Sequence, residues 1–244
     1  MKSLYVIWQE PQTKSWFPVG KLTYNSDKQV YQFTYTKGAE KSPRFIPFGR
    51  MKNLYKAYFS IELFPLFANR LLCQSRPEYP AYLQWLNVSG KEQNDPLLLL
   101  ARSGGRRVTD LLEVFPYPER NGDGNYEFYF FSRDLRRMPK ESLEKINFIS
   151  PGEQLHLIPD SQNKEDTCAI ALQTGDLVGY CPPYLAKNFF SIGKKMNWNH
   201  LTVVKVNREA PSAFRLLCRW IFNLPESFQL FLDEEFQELI NSSP

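Results

Sequence analysis

Residues 116–131 read PYPERNGDGNYEFYFF, and the change of character inside this stretch organises the whole chain. Its first ten residues hold two prolines, two glycines and several polar side chains, the composition of a surface connection between domains. The six that follow, Tyr126–Phe131, read as a strongly aromatic strand. The connection divides 244 residues into a first domain over 1–118, a second over 125–222 and a tail over 223–244.

Upstream, Leu4–Trp8 (LYVIW), Phe17–Tyr24 and Val30–Tyr35 read as strands, the last two joined by a turn at Asn25-Ser26-Asp27. Between Tyr58 and Trp85, Leu63, Leu66, Phe67, Leu71 and Leu72 recur at helical spacing, and Pro65 suits a first helical turn. A second short helix is expected over Glu78–Leu86. Asp95 before Pro96 predicts a capped helical start for Leu97–Ala101, Ser103-Gly104-Gly105 breaks it, and Leu111–Phe115 reads as a closing strand.

Downstream, short strands are expected at Gln154–Ile158, Ala169–Gln173, Leu177–Tyr180, Thr202–Asn207 and Leu216–Ile221, with a short helix over Pro183–Phe190. This alternation of strands and turns predicts a small barrel. Phe228, Phe231, Leu232, Phe236, Leu239 and Ile240 form an apolar stripe that predicts an amphipathic helix over Pro225–Ile240. The expected fold class is α+β: a small N-terminal β-sheet with packed helices, a C-terminal β-barrel with short helices, and a terminal amphipathic helix.

With 43% apolar and 23% charged residues, the chain can bury a core of its own. The net charge of +4 is compatible with an anionic partner and equally with ordinary solvated surface. Cys73, Cys168, Cys181 and Cys218 lie far apart, with no close spacing to one another or to histidine. The opening MKSLYVIWQEPQ is broken at Gln9-Glu10-Pro11 before the apolar core of a signal peptide could form. No stretch approaches the roughly 18 apolar residues of a membrane span. Free thiols in a reducing cytoplasm, away from any membrane, are the expectation.

Catalytic patterns are sparse. His156 and His200 are the only histidines and no serine or cysteine motif accompanies them. Ser103-Gly104-Gly105 lacks the Gly-Lys-Ser/Thr of a phosphate loop and reads as a tight turn. No enzyme activity, cofactor or metal is expected. Basic residues are better grouped. Arg133, Arg136 and Arg137 follow the aromatic strand, and Lys187, Lys194 and Lys195 follow the segment GYCPPYLA, which carries Tyr180 and Tyr184. Arginine and lysine beside aromatic rings is the chemistry of single-strand binding; the same residues also suit a solvated basic face.

The motifs of the second half occur in a distinctive order: Leu135-Arg136, then Pro151-Gly152-Glu153, then Asn163-Lys164-Glu165-Asp166, then Ala169-Ile170-Ala171-Leu172, then Gly179-Tyr180-Cys181-Pro182. Over roughly Asn125–Trp220 this order resembles the HIRAN domain family. The resemblance implies a modified OB-like barrel that grips the free 3′ end of single-stranded DNA. It further implies that Arg136 meets phosphate, Asp166 accepts from the terminal sugar hydroxyl and Asn163 shapes the loop. Arg137 and Lys164-Glu165 stand where helicase members of that family carry stacking aromatics, leaving Tyr180, Tyr184 and Phe189 as the rings available for that task.

In the first half, Tyr31-Gln32-Phe33-Thr34-Tyr35, then Phe64 to Leu71, then Asp95 with Leu98 to Gly105, looks like the N-terminal subdomain of HipA-type toxin kinases, without their catalytic lysine and metal-binding motifs. The chain is therefore expected to be a non-enzymatic nucleic-acid-binding protein of DNA repair or defence, taking single-stranded DNA or a DNA 3′ end. The alternative is an interaction protein that regulates a HipA-like kinase in a toxin–antitoxin system.

Overall fold

The computed structural model describes residues 2–161, 163, 170–186, 201–226 and 229–240. The chain forms two compact units: residues 2–79, 89–117 and 231–240 make up the first, and the described parts of 80–88 and 118–230 make up the second.

The first unit opens with three antiparallel strands, β1 (Lys2–Gln9), β2 (Trp16–Asn25) and β3 (Val30–Tyr35). Asn25 makes the turn between the last two, its side-chain oxygen accepting from the backbone N–H groups of Asp27 and Lys28 at 3.0 Å each. A short helix α1 (Lys37–Lys41) follows, and then β4 (Tyr58–Ser60), which pairs with β3 at the sheet edge. The apolar spacing after Tyr58 predicts a helix, but only Pro65–Ala68 is helical (α2), with Pro65 in its first turn. Helix α3 (Tyr79–Trp85) leads towards residues 86–88, and α4 (Pro96–Ser103) begins as its residues dictate. Asp95 accepts from the N–H groups of Leu97 and Leu98 at 3.1 and 3.2 Å, and Pro96 has no N–H that would need an acceptor there. Gly104, in a left-handed conformation, closes the helix. Strand β5 (Leu112–Pro116) then pairs with β1, giving the sheet order β4-β3-β2-β1-β5.

Leu4 to Ile7 of β1 are all buried, which an alternating strand with one wet face would not allow. Both faces of the sheet are covered. Leu4 and Val6 pack with Phe67, Leu97 and Leu100 of the helices. Tyr5 meets Phe115 and Phe236, with ring centroids 5.6 and 4.9 Å away. Phe236 comes from the tail, whose described residues form no amphipathic helix. Among the described residues of 225–240 the only helical turn is a 3-10 turn at Glu234–Phe236. Phe231 takes a left-handed conformation that breaks an α-helix, and the backbone pairs outward instead. The N–H of Leu239 donates to the carbonyl of Tyr35 and that of Lys37 to the carbonyl of Gln237, both at 2.9 Å. Glu238 completes the attachment by accepting from Lys21 and from the Thr34 hydroxyl, at 3.0 and 2.6 Å.

The second unit contains β6 (Tyr126–Phe131), α5 (Lys140–Ile146), β7 (His156–Pro159), β8 (Ile170–Thr174), β9 (Asp176–Tyr180), β10 (Leu201–Val206) and β11 (Leu216–Phe222). They form two antiparallel sheets, β10-β11-β6 and β7-β8-β9. A helical turn at 183–186 follows β9. The sheets connect at two places. Residues 152–155 lie along β10, with the N–H of Leu155 donating to the carbonyl of Leu201 at 2.9 Å and that of Val203 to Glu153 at 2.9 Å. Arg133, just past β6, pairs with Tyr180 at the end of β9. Residues 80–88 join this unit because Asn207 donates to the carbonyls of Trp85 and Phe214, at 3.1 and 2.7 Å. The ring of Trp85 stacks on Phe214. The architecture is thus mixed α+β with small antiparallel sheets, and no described helix is long and apolar enough to cross a membrane.

Candidate nucleic-acid interface

The site is built where β6 runs out. Ser132 donates its hydroxyl to the carbonyl of Val178 at 2.7 Å. One residue on, the N–H of Arg133 donates to the carbonyl of Tyr180 at 2.9 Å, and the reverse bond is 3.2 Å. Between these contacts sits Gly179, with φ +121. A Cβ there would stand 1.9 Å from the Ser132 hydroxyl oxygen, so the two chains approach this closely only across a glycine. The Gly-Tyr pair of the sequence motif thereby acquires a structural reason.

Asp134 then takes a left-handed conformation and turns the chain into a 3-10 turn, Leu135–Arg137. Leu135 is buried and anchors the turn, while Arg136 and Arg137 are exposed. Arg136 donates from Nε to the Ser212 hydroxyl at 3.0 Å. Among the described residues no carboxylate pairs with Arg136, so its two terminal nitrogens remain available to an anion.

Tyr180 is half-buried beside this turn. Its hydroxyl donates to Asp160 Oδ2 at 2.8 Å, and the Asn163 side chain also bonds it. Burial, followed by the Asp160 carboxylate, raises the phenol's pKa above its ordinary value, so Tyr180 stays protonated and its proton is committed to Asp160. Asn163 is held by its own N–H, which donates to the carbonyl of Asp160 at 3.2 Å. The neighbourhood is mixed in sign, since Asp134 and Asp160 both act on Tyr180 while Arg136 and Arg137 stand exposed nearby in sequence.

The residues anticipated from sequence are therefore distributed unevenly. Arg133 pairs directly with Tyr180, Asn163 bonds Tyr180, and Arg136 and Arg137 lie on the turn that follows Arg133. Arg133 contributes by its backbone and is itself only half-exposed. Tyr184 is 7% exposed, so its ring belongs to the core rather than to a stacking surface. Asp166 and Lys187 lie outside the described residues, as do Lys164, Glu165, Phe189, Lys194 and Lys195. Asp160 and Ser212 are not among the sequence candidates, and Gly179 figures there only as part of a motif, with no role of its own. Only Gly179 carried a usable signal, since a glycine inside a strand marks a close backbone approach.

The Pro151-Gly152-Glu153 turn serves the scaffold. Glu153 accepts from the Thr174 hydroxyl at 2.6 Å and from the N–H of Ser150 at 3.1 Å, and these bonds hold its carboxyl below the usual range. His156 is exposed on β7. Among the described residues, no group of three His, Cys, Asp or Glu side chains is placed to hold a metal ion. Cys181 and Cys218 are free of disulfides and buried, and burial pushes both thiols up. Comparison with protein-family models, with curated proteins and with solved structures finds no match for this chain.

Proposed function

We propose that this chain binds single-stranded nucleic acid, most simply single-stranded DNA, on its second unit and without catalysis. The observation that carries the reading is the meeting of the arginine turn with Tyr180, two segments more than 40 residues apart joined by the Arg133–Tyr180 bridge. An exposed guanidinium on a turn that the backbone joins to a half-exposed tyrosine offers a phosphate contact and a base-stacking ring on one unit. Arg136, oriented by Ser212, is the phosphate ligand, and Arg137 adds charge. Tyr180, braced by Asp160 and Asn163, supplies the ring.

The strand connections support the barrel that the HIRAN resemblance implies. Passing from β6 through β11 and β10 to residues 152–155, then through β7, β8 and β9, the hydrogen bonding returns to Arg133, just beyond β6. Links of this kind between two small sheets support a barrel reading. With Tyr184 in the core and Arg137 exposed, one ring instead of two serves for stacking, which favours loose single-strand binding over a tight grip on a 3′ end.

Fluorescence anisotropy with single-stranded DNA ending in 3′-hydroxyl or 3′-phosphate, and with duplex, tests the proposal. Both single strands are expected to bind alike and more tightly than duplex. Arg136→Ala with Arg137→Ala should lower the salt slope by about 1.4, the value for two lost single-strand phosphate contacts. Affinity and slope both unchanged in that variant would overturn the assignment to this surface.

A further inference from the structure

Residues 41–61 of the first unit, KSPRFIPFGRMKNLYKAYFSI, contain five basic residues, five aromatic residues and no acidic one. The structure sorts them into two sets. Phe45 and Phe48 turn inward, Phe45 against Trp8 at 5.5 Å and Phe48 against Tyr35 at 5.7 Å between ring centroids. Tyr55 and Phe59 stay 58% and 65% exposed, far above what an aromatic ring needs for packing. The cations divide in the same way. Lys41 pairs with Glu234 and Arg44 with Glu10, whereas Arg50, Lys52 and Lys56 are exposed and, among the described residues, have no carboxylate partner.

Tyr55, Lys56 and Phe59 lie on one small structure, and Arg50 and Lys52 directly precede it in the chain. The Tyr58 hydroxyl accepts from the N–H of Asn53 at 2.7 Å and donates to its carbonyl at 3.0 Å, closing the loop 53–58. Asn53 also accepts from the N–H of Tyr55 at 2.8 Å, which holds the tip. Lys56 reaches over the Tyr58 ring. Phe59 lies directly after, on the edge strand β4 opposite Gln32.

We propose that residues 50–60, this loop with the segment before it and the edge strand after it, form a second binding face for single-stranded nucleic acid, with Arg50, Lys52 and Lys56 meeting phosphates and Tyr55 and Phe59 stacking bases. Cations without a carboxylate partner, alternating in sequence with exposed rings, suit the alternation of phosphate and base along an unpaired strand. Sequence is not read here, because stacking and phosphate contacts accept any base. This face shares no residue with the arginine turn of the second unit.

The test uses the full chain, fluorescein-labelled oligothymidylate, and oligouridylate as a second arm. Lys52→Ala with Lys56→Ala should weaken binding about tenfold near 50 mM salt and lower the salt slope by about 1.4. Tyr55→Ala with Phe59→Ala should weaken it at least about fivefold with the slope unchanged. All four positions are exposed, and circular dichroism checks that the fold is kept. Equal loss on both probes supports recognition common to DNA and RNA. Both variants binding like the parent overturns the proposal. Binding to phosphatidylserine vesicles with none to oligonucleotide overturns it too, since the face would then be a membrane surface. The Arg136→Ala with Arg137→Ala variant separates the two sites. If it alone loses binding, this face is refuted and the second unit's site stands; if only the loop variants lose binding, the reverse holds.

Discussion

The backbone of Gly179 passes so close to Ser132 that a Cβ at position 179 would lie 1.9 Å from the serine oxygen and 2.8 Å from the carbonyl oxygen of Arg133. This contact brings the arginine turn to Tyr180. Gly179→Ala must move backbone on both sides and also strains an L-residue at φ +121. We expect a loss of about 3 kcal/mol or more by urea unfolding, together with loss of hydrogen-exchange protection at Arg133 and Tyr180. Ser132→Ala, which removes only the hydroxyl bond to Val178, should cost about 1 kcal/mol.

Arg70 in the first unit has a side chain only 2% exposed, and its guanidinium donates to both oxygens of Asp110 at 3.0 and 2.6 Å and to the carbonyl of Gly105 at 2.8 Å. It ties the loop after α4 to the chain following α2. Arg70→Ala should destabilise this unit by about 3 kcal/mol, because the carbonyl and part of the carboxylate lose their donor inside the protein. Arg70→Lys should recover only part of that, since an ammonium cannot bind Asp110 through two parallel bonds. Thermal unfolding of the two variants side by side gives the comparison.

Glu10 is 1% exposed, and its carboxylate accepts from the N–H of Thr13, from the N–H of Gln12 at 3.0 Å and from Arg44 at 2.9 Å. The backbone bond from Thr13, ahead of the others, lowers its pKa from about 4.5 to about 2. The folded value lies below the unfolded one, so the contribution is complete above about pH 4.5 and is lost as pH falls towards 2. Glu10→Gln should flatten the stability profile across that window and leave the shape above pH 5 unchanged, as read from urea midpoints at successive pH values.

Phe236 is 8% exposed against Tyr5, while Leu232, four residues earlier, is 62% exposed. An α-helix would have placed the two on one face. Phe236→Ala is expected to cost about 3 kcal/mol and Leu232→Ala no more than about 0.5 kcal/mol. Similar losses at both positions would mean that the tail packs as a helix after all.

Local chemistry made most of the elements readable. The strands at β1, β2, β3, β6 and β11 announce themselves by β-branched and aromatic runs between turn residues, and Asp95-Pro96 names the start of α4. These are short-range properties, carried by neighbours in the chain. The tail escaped the same logic because its apolar spacing suits a helix as well as an extended segment. The choice is made by backbone partners at Tyr35 and Lys37 and by a ring pocket at Tyr5, all some 200 residues away in sequence. The site divides in the same way. Arginines after an aromatic strand are visible as a cluster, but whether a tyrosine stacks or packs depends on burial. Burial leaves Tyr180 at the surface and places Tyr184 in the core four residues on. Residue type and spacing name the groups available for binding, while solvent exposure, which depends on contacts distant in sequence, selects those able to meet a ligand.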